Sequence, residues 1–302
     1  MKIACYQGPV VFSDAEANLR ATEKALSDAD RQGAEILAMP ETFLHGFFSK
    51  ERFKSEYAVD LQEDEFRRLR ERFSKYGCTL LLGLFERRGE DVFNTVVVLE
   101  RGKLLGSYSK TYAYMSYETR GDQFPIFERR GIKFGINICA DTSYFEPAHI
   151  LAMKGAQIIF SPHFNYIAHE NVDDHTTEVR NHHIAMAINN GVYVARSNVV
   201  VPESVGSGPL GYAGVGVGDS LILDRRGRVL QEAGICRSAL LVCDLPDDDL
   251  KKGGPQRWRN TSPAIADALH HEYQRMFAEH RNLPLGKSVD SRRLVPRDRR
   301  LS

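Results

Sequence analysis

Three apolar, alternating runs in this sequence each end on a residue able to take part in covalent chemistry. "EILAMPE" ends on Glu41, "LLGSYSK" on Lys110 and "FGINIC" on Cys139. In α/β folds the carboxyl ends of strands are where side chains converge on a ligand. A thiol, a carboxylate and an ammonium gathered there would supply a nucleophile, a general base and a group to stabilise an oxyanion. Each residue also has a plain structural reading. Free cysteine is among the most buried residue types, so Cys139 could be a small core residue closing a strand. Glu41, after Pro40, could cap a helix or turn, and Lys110 could end a strand with a solvated charge. Residue type and position leave both readings open.

The elements that would carry these residues alternate along the chain. "KIACYQ" reads as a strand, and "SDAE" at 13–16 reads as a Ser-x-x-Glu capping box opening a helix to about residue 32. "AEILAMP" is the next strand, and an amphipathic stretch over about 63–76 leads into "CTLLLGLFE". "VFNTVVVLE" and "KLLGSYSK" follow across the charged turns "RRGED" and "RGK", a hairpin pattern. The second half repeats the alternation: strand "KFGINI", helix over 145–154, strand "AQIIFSP", helix over about 174–190, then "GVYVARSNVV". The glycine-rich "GSGPLGYAGVGVGD" precedes the hairpin "SLILDRRGRVLQEAG" and the strand "SALLVCDLP". Such apolar runs with helices between hairpins imply sheets covered by helices on one face and packed on the other. A single domain is expected over 1–282.

Composition bounds the partners. The 302 residues are 42% hydrophobic and carry 40 basic and 40 acidic side chains, so no overall field favours nucleic acid or an anionic membrane. No run approaches the roughly 18 apolar residues of a membrane span. The five cysteines, Cys5, Cys78, Cys139, Cys236 and Cys243, are odd in number and form no C-x-x-C pair. That argues against a disulfide framework or a zinc knuckle and for a reducing, cytoplasmic location. The four other than Cys139 read as packing residues. The tail from 283 to 302 loses periodicity and carries Arg292, Arg293, Arg297, Arg299 and Arg300 against Asp290 and Asp298. It is expected to be a solvated arm or a strap across a subunit partner.

The sequence resembles the nitrilase superfamily of thiol carbon–nitrogen hydrolases. The resemblance rests on "KIACYQGPVVFSDAEANLRATEKALSDADRQGAEILAMPETFLHGF", "YSKTYAYMSYE", "KFGINICADTSYFEPAHILAMKGAQIIFSPH" and "INNGVYVARSN…GDSLILDRRGRVL", four blocks in the family's order over about residues 2–245. It implies a four-layer α-β-β-α sandwich and a Glu-Lys-Cys site at Glu41, Lys110 and Cys139. It also implies a second glutamate, Glu118, eight residues after Lys110. In the mechanism so implied, Lys110 or a helix amino terminus at 140–146 favours the Cys139 thiolate, or Glu41 removes the thiol proton. Lys110 and the backbone N–H of Ala140 then receive the oxyanion, a thioester forms, and Glu41 activates the water that cleaves it. No cofactor or metal is required.

Within the family, nitrilases proper tend to carry Cys-Trp-Glu, whereas amidases and carbamoylases often carry Cys, any residue, Asp. "CAD" at 139–141 fits the second pattern, so a small amide or carbamoyl substrate releasing ammonia is expected, with a small nitrile as the alternative. Several carbamoyl-amino-acid hydrolases place an arginine three or four residues after the nucleophile to clamp a carboxylate. Here those positions are Thr142 and Ser143, which argues against an acidic substrate gripped from that spot, although Arg196 or Arg180 could serve from elsewhere. Phe43, Tyr112, Tyr114, Tyr144 and His163 are candidates to line the pocket. The family also implies a homo-oligomer, dimer or higher.

Two rival classes remain open. His175, Glu178 and His182 share one face of a helix with Asp173, Asp174 and His183 nearby, a cluster that could bind zinc or iron in a metal-dependent hydrolase. A non-catalytic relative could keep the fold as an interaction module. The glycine-rich stretch lacks a Gly-Lys-Ser/Thr ending and leads into a strand, so it reads as a loop over the site and not as a phosphate cradle.

Overall fold

A computed structural model describes residues 1–47, 54–204, 210–254 and 257–279. The expected basic arm, 283–302, and part of the glycine-rich stretch lie outside the described residues. The first half of the chain builds one sheet. β1 (Lys2–Pro9), β2 (Ile36–Ala38) and β3 (Thr79–Arg88) run parallel, and β3 turns back into β4 (Asp91–Glu100) and β4 into β5 (Lys103–Ser109) as antiparallel hairpins. The second half builds another from β6 (Phe127–Arg129), β7 (Ile132–Ile136), β8 (Ile158–Pro162) and the long β9 (Tyr193–Ser204).

β9 belongs to both sheets. Its first residues pair with β8, and its later ones pair with β1 through Gln7 and Asn198, which gives the order β5-β4-β3-β2-β1-β9-β8-β7-β6. β10 (Gly214–Val217) and β11 (Leu221–Leu223) pair antiparallel with β9, β12 (Val229–Glu232) with β11, and β13 (Ala239–Asp244) with β1.

The helices are α1 (Ala15–Arg31), α2 (Lys54–Tyr57), α3 (Asp64–Glu71), α4 (Phe145–Met153), α5 (Val172–Asn190), α6 (Asp247–Lys252) and α7 (Pro263–Glu279). None is long and apolar enough to cross a membrane, among the described residues.

Four layers follow from the two-residue period of the strands, which sends alternate side chains to opposite faces. Ile3 and Cys5, Ile36 and Ala38, and Val96 and Val98 of the first sheet meet Phe134 and Ile136, Ile158 and Phe160, and Ile222 of the second in one buried cluster between the sheets. The intervening Ala4, Leu37 and Val97 face Leu19, Leu26 and Phe66 of α1 and α3. On the far side, Ile159, Val194, Leu221 and Leu223 face Leu151, Met186 and Ala187 of α4 and α5. The order across the molecule is therefore helix, sheet, sheet, helix.

Two local details depart from expectation. α1 is capped by Asp14, whose side chain accepts from the Ala17 N–H at 2.9 Å, while Ser13 takes a left-handed φ of 63° and serves the turn instead. Within the amphipathic stretch at 63–76 the α-helix covers Asp64–Glu71. α5 begins at Val172 and stops at Gly191, whose φ of 65° is the left-handed conformation that glycine adopts freely after a helix.

Candidate active site

Glu41 leaves β2 through a tight segment. Met39 N–H bonds to the Leu81 carbonyl at 2.9 Å and Glu41 N–H to the His163 carbonyl at 3.3 Å, which ties this segment to both sheets. Gly83 of β3 allows the approach: a Cβ there would stand 2.5 Å from the Pro40 carbonyl oxygen and 2.6 Å from the Thr42 nitrogen. Thr42, a β-branched residue, is held at φ 45°. Lys110 follows β5 directly, its N–H bonded to the Asn94 carbonyl and its carbonyl to the Gly121 N–H, each at 2.8 Å. Cys139 stands where β7 has ended, at φ 43°, and opens a single 3₁₀ turn, Cys139–Ser143. A non-glycine residue with positive φ at a strand end turns its side chain off the line of the strand, a strain that persists only where the surroundings enforce it.

The three side chains meet. Lys110 Nζ donates to Glu41 Oε1 at 2.7 Å, and Asn94 Nδ2 donates to the same oxygen at 2.8 Å. Glu41 Oε2 accepts from the Phe164 N–H at 2.8 Å. The Cys139 thiol adjoins the Glu41 carboxylate, which acts on its ionisation together with Lys110. Glu41 and Lys110 are buried, and Cys139 is half-buried.

Electrostatics decide how the thiol is held at rest. Burial and then the Glu41 carboxylate push the Cys139 pKa up to about 12, against the pull of Lys110. That direction favours a protonated thiol at rest, and of the two activation routes the sequence offered it accords with removal of the proton by Glu41. Burial alone would lower the Lys110 pKa, but Glu41, Cys139 and Glu118 together raise it, which keeps the ammonium charged.

Glu118 closes the same region. Its Oε2 accepts from the N–H groups of Tyr114 at 2.8 Å and Met115 at 3.3 Å, while Oε1 is buried without a hydrogen-bond partner among the described residues. Burial raises its pKa, Lys110 opposes that, and Glu41 adds to it. Ala140, half-buried, is the second residue of the 3₁₀ turn.

Three polar residues that the sequence did not single out, Asn94, Asn165 and Asp219, complete the site with Asp141, which the sequence marked only as the acid of Cys-Ala-Asp. Asn94 is the one amide in the mostly apolar "VFNTVVVLE", and that place in the run was its only signal. Asp141 accepts five hydrogen bonds. They come from Thr111 N–H, Thr111 Oγ1, Tyr112 N–H, the Tyr108 hydroxyl and Ile138 N–H. It thereby ties the segment after Lys110 to the segment before Cys139. Asn165 Nδ2 lies 3.7 Å from Cys139 Sγ, and its Oδ1 accepts from Arg196 at 2.8 Å. Asp219, also buried, is the acidic partner of that arginine.

The candidate pocket residues separate. Phe43 is a core residue: its ring is fully buried and packs edge-on against Tyr6, 5.4 Å between centroids, so it supports the Glu41 segment from behind. Tyr112 and Tyr144 stack face to face at 3.5 Å, and Tyr144 is exposed, as is Tyr114. His163 contributes its backbone to Glu41, but its buried ring lies 3.2 Å from the His183 ring nitrogen and 3.1 Å from Ser161 Oγ. Arg196 and Arg180 both engage Asp219, and Arg180 also engages Glu232, so neither is held in reserve for a substrate carboxylate. Of the helical cluster, His182 sits 4.0 Å from Glu178, while His183 turns inward to Ser161 and the Val179 carbonyl. No three of the described His, Cys, Asp or Glu side chains converge as a metal site. Cys236 is exposed, and so is not the packing residue expected of it.

A thiol beside a carboxylate and an ammonium, at the ends of strands in a four-layer sandwich, is equipment for acyl transfer, and the comparisons agree. The model of the carbon-nitrogen hydrolase family matches residues 2–251, and this chain belongs to that family. It is an amidohydrolase by class, and its structural neighbours are amidases of the nitrilase superfamily. One of them, from Nesterenkonia AN1, superposes with a TM-score of 0.71 at 26% identity over 90% of this chain and 97% of its own. A structure of that amidase carries acrylamide added at its active-site cysteine. Among curated relatives, the N-carbamoylputrescine amidase of Solanum tuberosum is 26% identical over 79% of this chain and 84% of its own length. A nitrilase of Pyrococcus abyssi is 28% identical, but the match spans only 54% of this chain and 64% of that protein.

Proposed function

We propose that this protein hydrolyses the C–N bond of a small neutral amide or carbamoyl compound through a thioester on Cys139, releasing ammonia. The observation that carries the reading is the Glu41 carboxylate, which engages the Cys139 thiol while its Oε1 stands 2.7 Å from Lys110 Nζ. Glu41 takes the thiol proton as sulfur attacks the carbonyl carbon. Lys110, with two N–H donors beyond the one given to Glu41, and the Ala140 N–H receive the oxyanion. Glu41 passes the proton to the leaving nitrogen, then takes one from the water that cleaves the thioester. Glu118 Oε1, an acceptor without a partner among the described residues, suits a substrate N–H.

Several observations support the amide or carbamoyl branch and a substrate without a carboxylate. The Cys-Ala-Asp segment and a relative named for a carbamoyl amine support the branch, and the commitment of Arg196 and Arg180 to Asp219 argues against an acidic substrate. The relative named nitrilase keeps small nitriles as the second reading. The test is a screen of neutral, acidic and basic amides, carbamoyl compounds and nitriles for ammonia release, with acid-quenched samples weighed intact. The expected result is turnover of neutral amides or carbamoyl compounds and an acyl adduct that Cys139→Ala abolishes. An adduct that survives Cys139→Ala, or turnover of carboxylate-bearing carbamoyl compounds alone, refutes the reading.

The protein is further read as a homo-oligomer in a reducing compartment. α7 has no buried residue and exposes Ile265, Leu269 and Phe277, near exposed aromatic residues at the start of α4 that Tyr273 reaches through Glu146. All five cysteines are free thiols. Light scattering of the purified protein tests the assembly: a monomeric mass at micromolar concentration removes that reading.

A further inference from the structure

Cys139 has a neighbour whose orientation is dictated from behind. Asn165 Nδ2 lies 3.7 Å from the Cys139 sulfur, and Asn165 Oδ1 lies 2.8 Å from an Arg196 nitrogen. A guanidinium only donates, so the amide must turn its oxygen to the arginine and its NH₂ to the sulfur. The arginine itself cannot swing away. Arg196 is buried, bonds to the Asp219 carbonyl, and pairs with Asp219 Oδ2 at 3.3 Å, while Arg180 holds that carboxylate from the other side at 2.9 Å. The Asn165 backbone is fixed as well, its N–H bonded to Asn198 Oδ1 at 3.0 Å. A relay of four residues, Asp219, Arg196, Asn165 and Cys139, therefore ends in an N–H aimed at the reacting atom.

We propose that Asn165 is a further catalytic residue, an N–H donor to the Cys139 sulfur as it becomes a thiolate, and that Arg196 and Asp219 are positioning residues that keep its amide from flipping. The proposal deepens the hydrolase reading and rests on Cys139 as nucleophile. A neutral thiol is a weak acceptor, whereas a thiolate accepts charge-assisted hydrogen bonds strongly, so the contact gains strength as the proton leaves. The step balances without further reagents. The S–H proton passes to the Glu41 carboxylate, the sulfur lone pair forms the bond to carbon, and the carbonyl π pair moves to oxygen. The charged groups around this sulfur are Glu41 after β2, Lys110 after β5, and Arg196 on β9. Of these, Glu41 opposes the thiolate and Lys110 favours it, and Asn165 adds a donor that carries no charge of its own to titrate.

The test measures alkylation of Cys139 by iodoacetamide across pH 6.5–9.5, in a Cys236→Ser background that removes the exposed competing thiol. Asn165→Ala removes the donor. Asn165→Asp keeps the shape and a partner for Arg196 but presents an acceptor to the sulfur, so it decides the matter even if Asn165→Ala folds poorly. Both variants should alkylate on the order of tenfold more slowly at a given pH, the aspartate more so, which displaces the rate–pH line by about one unit toward higher pH. With the amide substrate, kcat should fall in parallel while KM stays within about twofold. Arg196→Lys, which loses the fork but keeps a charge for Asp219, should fall between wild type and Asn165→Ala. Superimposable alkylation profiles for wild type and Asn165→Asp overturn the proposal, whatever happens to turnover. Failure of the underlying hydrolase reading would look different, because Cys139 would then alkylate without loss of activity.

Discussion

Lys110 Nζ stands 2.7 Å from Glu41 Oε1 with both side chains sealed from solvent. The pair does two jobs at once. It keeps the ammonium charged against burial, and it occupies one carboxylate oxygen while the other accepts from the Phe164 N–H. Removing one partner of a buried pair strands the other charge, a loss of about 3–5 kcal/mol. Lys110→Met is accordingly expected to lower unfolding stability by that order in denaturant titration. Glu41→Gln keeps the shape and one acceptor oxygen but not the base or the charge that pairs with Lys110, and should lower kcat about 10²- to 10⁴-fold as well as stability. A kcat in Glu41→Gln within a few-fold of wild type would contradict its assignment as the base.

Asp141 is the tie between the two segments that carry Lys110 and Cys139. Asp141→Ala leaves the N–H groups of Thr111, Tyr112 and Ile138 without their acceptor. At about 1–3 kcal/mol for each unsatisfied buried donor, a loss of at least about 3 kcal/mol is expected by chemical denaturation. Asp141→Asn, which retains one acceptor oxygen, should lose less stability yet still slow turnover, because the Lys110 segment is then held from one side only.

Gly83→Ala tests the placement of Glu41. The added Cβ would press on the backbone at Pro40 and Thr42, which has no side-chain freedom with which to give way. The expected outcome is a fall in kcat well beyond that of alanine substitution at Gly89, where nothing lies within 4 Å. Gly89→Ala meets a cost of its own in its φ of 62°, so it controls for backbone strain without crowding. Equal kcat in the two variants would mean that Glu41 is not positioned by this contact.

Acid stability should depend on the buried imidazoles. Burial drives His163 well below its ordinary value, with Arg196 and His183 adding to the effect, and it lowers His183 to about 3 and His45 and His175 to about 4. These rings stay neutral in the folded protein while the unfolded chain takes up protons below about pH 6.5, so their contribution is full above that pH and is lost as pH falls toward 3–4. The denaturation midpoint should drop steadily between pH 6.5 and 4. His183→Gln, which keeps a polar group for Ser161, should flatten that slope; an unchanged slope counts against the assignment.

Much of the architecture is legible in local pattern. Alternation in "KIACYQ", "VFNTVVVLE" and "AQIIFSP" marks strands because side chains on a strand take opposite faces in turn, and each of those runs pairs in the sheets. The cap of α1 was misjudged by one residue, since both Ser13 and Asp14 are cap formers and only the backbone angle separates them. The candidate pocket was read least well. An aromatic residue after a strand motif looks the same whether it ends in the core, as Phe43 does, or on the surface, as Tyr144 does.

By itself, then, the sequence determined the order of strands and helices, the family, and three reactive residue types at three strand ends, because all of these are written in short-range periodicity and contiguous blocks. Only the tertiary structure decided that Glu41 touches Lys110 and Cys139, that burial favours a protonated sulfur at rest, and that Asn94, Asp141, Asn165 and Arg196 surround them. The reason is physical. Hydrogen bonds and desolvation depend on which distant segments the sheets bring within 3–4 Å, and no local pattern encodes that distance.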